Sequence, residues 1–119
     1  MAKNVAEQLV DTLEKAGVKR IYAVTGDSLN EVNEAVRKSG KIKWIHVRHE
    51  ETGAFAAAAE AQLNGELACC AGSSGPGHVH LINGLYDAQR SGAPVLAIAS
   101  TLPTHEFGTE YFQETNTIK

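Results

Sequence analysis

Glu50 and Glu51 sit where a β-branched and aromatic run, Ile42 to Val47, gives way to the alanine-rich stretch Thr52-Gly53-Ala54-Phe55-Ala56-Ala57-Ala58-Ala59-Glu60-Ala61, which has high helix propensity. Both acids therefore fall on a strand-to-helix corner. There the free N–H groups and dipole of the helix stabilise a carboxylate, while the end of a buried strand excludes water and raises the cost of the charge. A carboxyl under two opposed influences has a pKa that its surroundings can tune, which suits proton exchange. The competing structural reading is that glutamate in a first helical turn is an ordinary N-terminal signal; Glu51 is expected to be of that kind, capping the helix or facing outward.

The second chemical candidate is the loop Gly72-Ser73-Ser74-Gly75-Pro76-Gly77. Three glycines and a proline let a backbone approach a ligand with its N–H groups forward, but a tight turn without a ligand uses the same residues. The loop has neither the Gly-Lys-Ser/Thr ending of a P-loop nor the Gly-x-Gly-x-x-Gly spacing of a dinucleotide turn. Ser73 and Ser74 have no evident His and Asp partners and no Gly-x-Ser-x-Gly elbow, which disfavours a serine hydrolase. His78 and His80 lie two apart, would not share a helix face, and have no carboxylate at metal spacing, so no metal site is expected; His46, His49 and His105 lie elsewhere.

The elements that must position these residues follow a βαβ rhythm. Val5, Leu9, Val10 and Leu13 mark a helix ended by Gly17, followed by a strand from Val18 to Val24. Thr25-Gly26-Asp27-Ser28 leads into a helix with Leu29, Val32 and Val36 on its apolar stripe, and Ser28 with Glu31 has the form of a capping box. The strand Ile42 to Val47, the alanine helix to Asn64 with Gly65 as its stop, and the strand Leu67 to Ala71 come next. A helix through Val79, Ile82, Leu85 and Tyr86 then precedes the strand Val95 to Ala99, whose apolar run is of the kind parallel sheets bury on both faces. Right-handed crossovers make this an α/β fold, a parallel sheet with helices on both faces, with four loops at the carboxyl edge where ligands bind: Thr25 to Ser28, Arg48 to Glu51, Gly72 to Gly77, and Thr101 onward. The face Ala54, Ala57, Ala58 and Ala61 permits close approach of a strand or of a second subunit's helix. The tail from Thr101 to Lys119 reads as an active-site loop leading into a short helix. A last strand left as an open edge points to a truncated domain, residues 1–119 of a larger chain.

With 119 residues, 43% of them hydrophobic, there is material for one core, and a net charge of -3 leaves no basic stripe for nucleic acid. No apolar window is long enough to span a membrane and the N-terminus is too polar for a secretory signal, so the expected location is cytoplasmic. Cys69 and Cys70, adjacent on a strand, point to opposite faces and are expected to be two buried thiols.

Taken together, Arg48-His49-Glu50-Glu51, Gly72 to Gly77, Asn83-Gly84-Leu85, Pro94 to Ala97 and Phe112-Gln113-Glu114 resemble the N-terminal pyrimidine-binding domain of thiamine-diphosphate enzymes. The likeness covers essentially the whole chain. Within that family Val24 to Asn30 and Gly75 to Leu85 look like the pyruvate oxidase group; many relatives, acetolactate synthases included, carry Asn where this chain has His80.

The resemblance implies that Glu50 hydrogen-bonds N1′ of the cofactor's aminopyrimidine and exchanges a proton with it. It implies that Gly26, Ser73, Pro76, His80 and Asn83 stand at cofactor-binding positions, and that Phe112 and Gln113 lie beside the thiazolium and the substrate. It also implies oxidative decarboxylation of a 2-oxoacid, pyruvate, with Mg²⁺, the diphosphate and flavin (FAD) bound on other domains, and an active site completed by a second subunit in a homodimer or homotetramer. The alternatives are another 2-oxoacid enzyme of the acetolactate synthase or acetyltransferase type, a phosphate- or nucleotide-binding α/β module, and a non-catalytic interaction domain.

Overall fold

Asn4 starts the first helix: its side chain accepts the Glu7 N–H at 2.8 Å, and the Glu7 carboxylate accepts the Asn4 N–H at 3.1 Å. This reciprocal cap satisfies two of the free donors of α1 (Val5–Lys15). The structure is a computed structural model that describes residues 2–116. Ala6, Val10 and Leu13 form the buried arc of α1, whereas Val5, expected on the apolar stripe, is 87% exposed because it falls off the i, i+4, i+7 line set by Ala6.

Four strands follow at the expected places: β1 (Arg20–Ala23), β2 (Lys43–His46), β3 (Ala68–Gly72) and β4 (Val95–Ala99). Their order is β2-β1-β3-β4, and every neighbouring pair is parallel. Between them run α2 (Asn30–Ser39), α3 (Glu50–Asn64), the short α4 (Pro76–His80) and α5 (Ile82–Arg90). Gly40 and Gly65 close α2 and α3 in the left-handed conformation.

Side chains alternate across the sheet and divide the core in two. Ile21, Ala23, Cys69 and Ala71 pack with Ala6, Val10, Leu13 and Val36 of α1 and α2. Tyr22, Ala68 and Cys70 pack with Ala54, Ala57 and Ala61 of α3 and with Leu81. The two cysteines thus face opposite ways as free, buried thiols, and burial pushes the pKa of each up to about 12.

Of the two neighbours expected for the small face of α3, a strand or a second subunit's helix, the structure gives the strand: Ala54, Ala57, Ala58 and Ala61 are buried within the chain, against the sheet and α5. Three expectations are corrected. The helix expected through Val79 and Tyr86 is broken at Leu81, which is itself fully buried; the change of phase leaves Val79, Ile82 and Tyr86 exposed. Strand β4 is half-exposed because it is an edge. Ser28 and Glu31 form no capping box, since a 3-10 turn at Asp27–Leu29 precedes α2 and puts Leu29 at the cap position.

Close approach of α5 to α3 depends on Gly84: a Cβ there would stand 2.4 Å from the Cβ of Ala54 and 2.7 Å from the Phe55 nitrogen. Gly84→Ala is therefore expected to destabilise the protein by about 1–3 kcal/mol through overpacking, despite alanine's better helix propensity. A urea midpoint equal to that of the parent would contradict this packing.

Candidate active site

The strand order changes direction between β1 and β3, the place where open α/β sheets hold ligands. The loops leaving those two strands, the start of α3 and the tail enclose a cleft of about 300 Å³ at that point. Gly26, Glu50, Ser73, Pro76, His80, Phe112 and Gln113, named from sequence, all line it.

Glu50 is the first residue of α3, with His49 as the cap: the His49 Nδ1 accepts the Glu51 N–H at 3.3 Å. The Glu50 side chain is only 12% exposed, and its Oε2 lies 3.1 Å from Nδ1 of His80, whose side chain is 42% exposed. The His80 ring in turn stacks on His49, with centroids 4.4 Å apart and planes 25° from parallel. No carboxylate stands at metal spacing from His80 along the sequence, but folding brings Glu50 to it across 30 residues. His49, Glu50 and His80 each offer one ligand atom, all within 4.8 Å of one another. The cap at His49 Nδ1 and the Glu50 contact at His80 Nδ1 engage one nitrogen of each ring.

Opposite Glu50 is a knot of hydroxyls that sequence reasoning missed by reading Ser28 as a helix cap. The Ser28 Oγ accepts the Ser74 N–H at 2.9 Å and lies 2.9 Å from the Ser73 Oγ and 2.8 Å from the Ser100 Oγ. Ser100 donates its one proton to the Gly72 carbonyl at 3.0 Å, so Ser28 must donate to Ser100, and Ser73 to Ser28. In this arrangement the Ser73 oxygen keeps acceptor capacity toward the cleft. Gly26 must be small beside it, since a Cβ would come 2.2 Å from the Ser73 Oγ. His78 is no base for these serines: its Nδ1 donates to the Ser100 carbonyl at 2.8 Å, pinning β4 to α4.

The tail closes one side. Gly75, at φ 69, has no room for a Cβ because the Gln113 carbonyl would be 2.3 Å away, and the Ser74 hydroxyl reaches the Gln113 Oε1 at 3.4 Å. Among the described residues of the tail the expected short helix is a 3-10 turn at Thr104–Glu106; residues 117–119 lie outside the described residues. Phe112, 75% exposed, stands at the cleft's mouth.

Asn83 lies outside the cleft, in a separate groove with Phe55 and Tyr86, and its Nδ2 donates to the Glu51 carboxylate at 3.1 Å. Glu51 does not cap α3 with its side chain; on the outer side of the helix it ties the start of α3 to α5.

The model of the N-terminal TPP binding domain of thiamine pyrophosphate enzymes matches residues 3–119. The chain belongs to this family. It is 62% identical over 112 residues to an uncharacterized 42.6 kDa protein of Pseudomonas amyloderamosa, covering 94% of this chain and 28% of that protein. It is 44% identical over 109 residues to pyruvate oxidase of Lactiplantibacillus plantarum, covering 91% of this chain and 18% of the oxidase. It is also 38% identical over 110 residues to acetolactate synthase 3 of Brassica napus, covering 92% and 17%. The chain thus spans under a third of the length of these curated relatives.

The floor of this TPP-binding domain's cleft depends on the hydroxyl relay. Ser28→Ala removes the acceptor of the Ser74 N–H and the link from Ser73 to Ser100, and is expected to lower stability by about 1–2 kcal/mol in chemical denaturation. Unchanged stability would mean that water replaces the hydroxyl without loss.

Proposed function

We propose that the cleft is the pyrimidine side of a thiamine-diphosphate site in an enzyme that oxidatively decarboxylates pyruvate. The observation that carries this is Glu50, a largely buried carboxylate in a cleft with no Lys or Arg among its described lining residues. An anionic diphosphate has no cationic partner there, whereas a heterocyclic amine meets a carboxylate and the acceptor oxygen of Ser73. The donor set therefore fits one end of the cofactor. Mg²⁺ and the diphosphate, and FAD in an oxidase, belong on other domains in this reading.

When bound, thiamine diphosphate supplies the electron sink for decarboxylation of a 2-oxoacid. Glu50 would hold and exchange a proton at N1′ of the pyrimidine, while Gly77 leaves room beside the carboxylate: a Cβ there would stand 3.3 Å from the Glu50 Oε1. The edge of the serine loop and Pro76 exclude water on one side. Phe112 and Gln113 face the substrate side at the mouth.

The oxidase reading over that of an acetolactate synthase is supported by the 44% against 38% identity and by His80 in the cleft. A homodimer or homotetramer completes the site: Phe55, Ile82 and Tyr86 present large apolar surface on α3 and α5, the kind of patch a second subunit covers. Among the described residues no helix is long and apolar enough to cross a membrane, and a cytoplasmic location fits the reading.

The test uses the full-length protein. Glu50→Gln is expected to retain thiamine diphosphate binding and to lose about 10²–10⁴-fold in kcat, the usual weight of a general acid-base group. Pyruvate should reduce bound flavin in the parent. Undiminished turnover in Glu50→Gln would overturn the cofactor reading, and acetolactate formation without flavin reduction would replace the oxidase by the synthase.

A further inference from the structure

We propose that His80 is the proton carrier of Glu50, linking the sheltered carboxylate to solvent. The inference rests on the reading of Glu50 as the acid that serves the pyrimidine, and deepens it.

Three observations converge on the pair. Glu50 is 12% exposed, and His80 is the side chain that touches its Oε2. His80 is 42% exposed, so the same ring reaches both the carboxylate and solvent. Its orientation is also held: His49 stacks on it, and His49 is itself fixed by the Glu51 N–H. A ring that merely filled space would need no such alignment of Nδ1 on a carboxylate oxygen.

The step is balanced within the pair. The Nδ1–H bond of a protonated His80 breaks and an Oε2–H bond forms on Glu50, converting imidazolium and carboxylate into neutral imidazole and carboxylic acid. Solvent supplies the proton that first charges the ring, and the reverse step returns it. Histidine suits this because its unperturbed charge change falls between pH 5 and 8. The other ionisable groups near the pair are Asp27 across the cleft, His49 on the ring face, and Glu51, which is engaged by Asn83.

A carrier and a positioning residue respond differently to substitution. His80→Asn keeps an N–H donor near the place of Nδ1 but cannot carry a proton, whereas His80→Ala removes both. Deuterium exchange at C2 of thiamine diphosphate bound to the full-length protein, at saturating cofactor, is expected to fall about 10²-fold or more in both variants. Added imidazole should restore the rate in His80→Ala and leave Glu50→Gln unchanged. A His80→Asn exchange rate equal to that of the parent would overturn the proposal; a parental rate in Glu50→Gln would instead sink the underlying reading of Glu50. A second readout needs no cofactor: in the cofactor-free full-length protein, the ¹⁵N NMR signal of the His80 Nδ1 should move on Glu50→Gln. An unmoved signal would mean that the two side chains do not meet in solution, and would overturn the carrier role.

Discussion

How low helix α3 lies on the sheet decides where Glu50 stands. The contact face of α3 is Gly53, Ala54, Ala57, Ala58 and Ala61, all buried, and a Cβ on Gly53 would already be 3.1 Å from the Tyr22 carbonyl. On its other side the helix meets α5 at Gly84. Small side chains bury little apolar area each, so the contact derives its strength from close backbone packing and leaves few ways to slide. Arg20 of β1 reinforces it by pairing with Glu60. Held this way, the first turn of α3 delivers a carboxylate to the helix's own free N–H groups at the rim of the cleft.

Charge distribution in the cleft gives the site its chemical character. The carboxylate of Glu50 stands at a helix N-terminus and against the His80 ring, and Asp27 adds a second acid at the edge. With no Lys or Arg among the described lining residues, the cleft suits a ligand part that is neutral or basic. The hydroxyl relay from Ser73 through Ser28 and Ser100 to the Gly72 carbonyl adds a fixed acceptor and joins three loops without any charge.

Much of this was legible beforehand because period and punctuation are local signals. The apolar runs of β1 to β4, the glycine stops at Gly40 and Gly65, and the acidic corner at Glu50 all fell where residue types put them. What escaped was long-range. Ser28 obeyed a local capping pattern, but its hydroxyl is taken by residues 45 to 72 positions away, and a 3-10 turn displaced the helix start. His80 looked partnerless because its carboxylate lies 30 residues upstream. Asn83 shared a motif with the site residues, yet the break at Leu81 sends it to the outer side of α3, onto Glu51. The alanine face of α3 gave no sign of which neighbour would cover it, and the chain's own sheet and α5 do so.

The most direct measurement is a structure of the full-length protein with thiamine diphosphate bound. The Glu50 carboxylate is expected within about 2.6–3.2 Å of a ring nitrogen of the aminopyrimidine, with the diphosphate outside this cleft. A complex in which that carboxylate points into solvent and the pyrimidine ring occupies another part of the molecule would contradict the role given to Glu50.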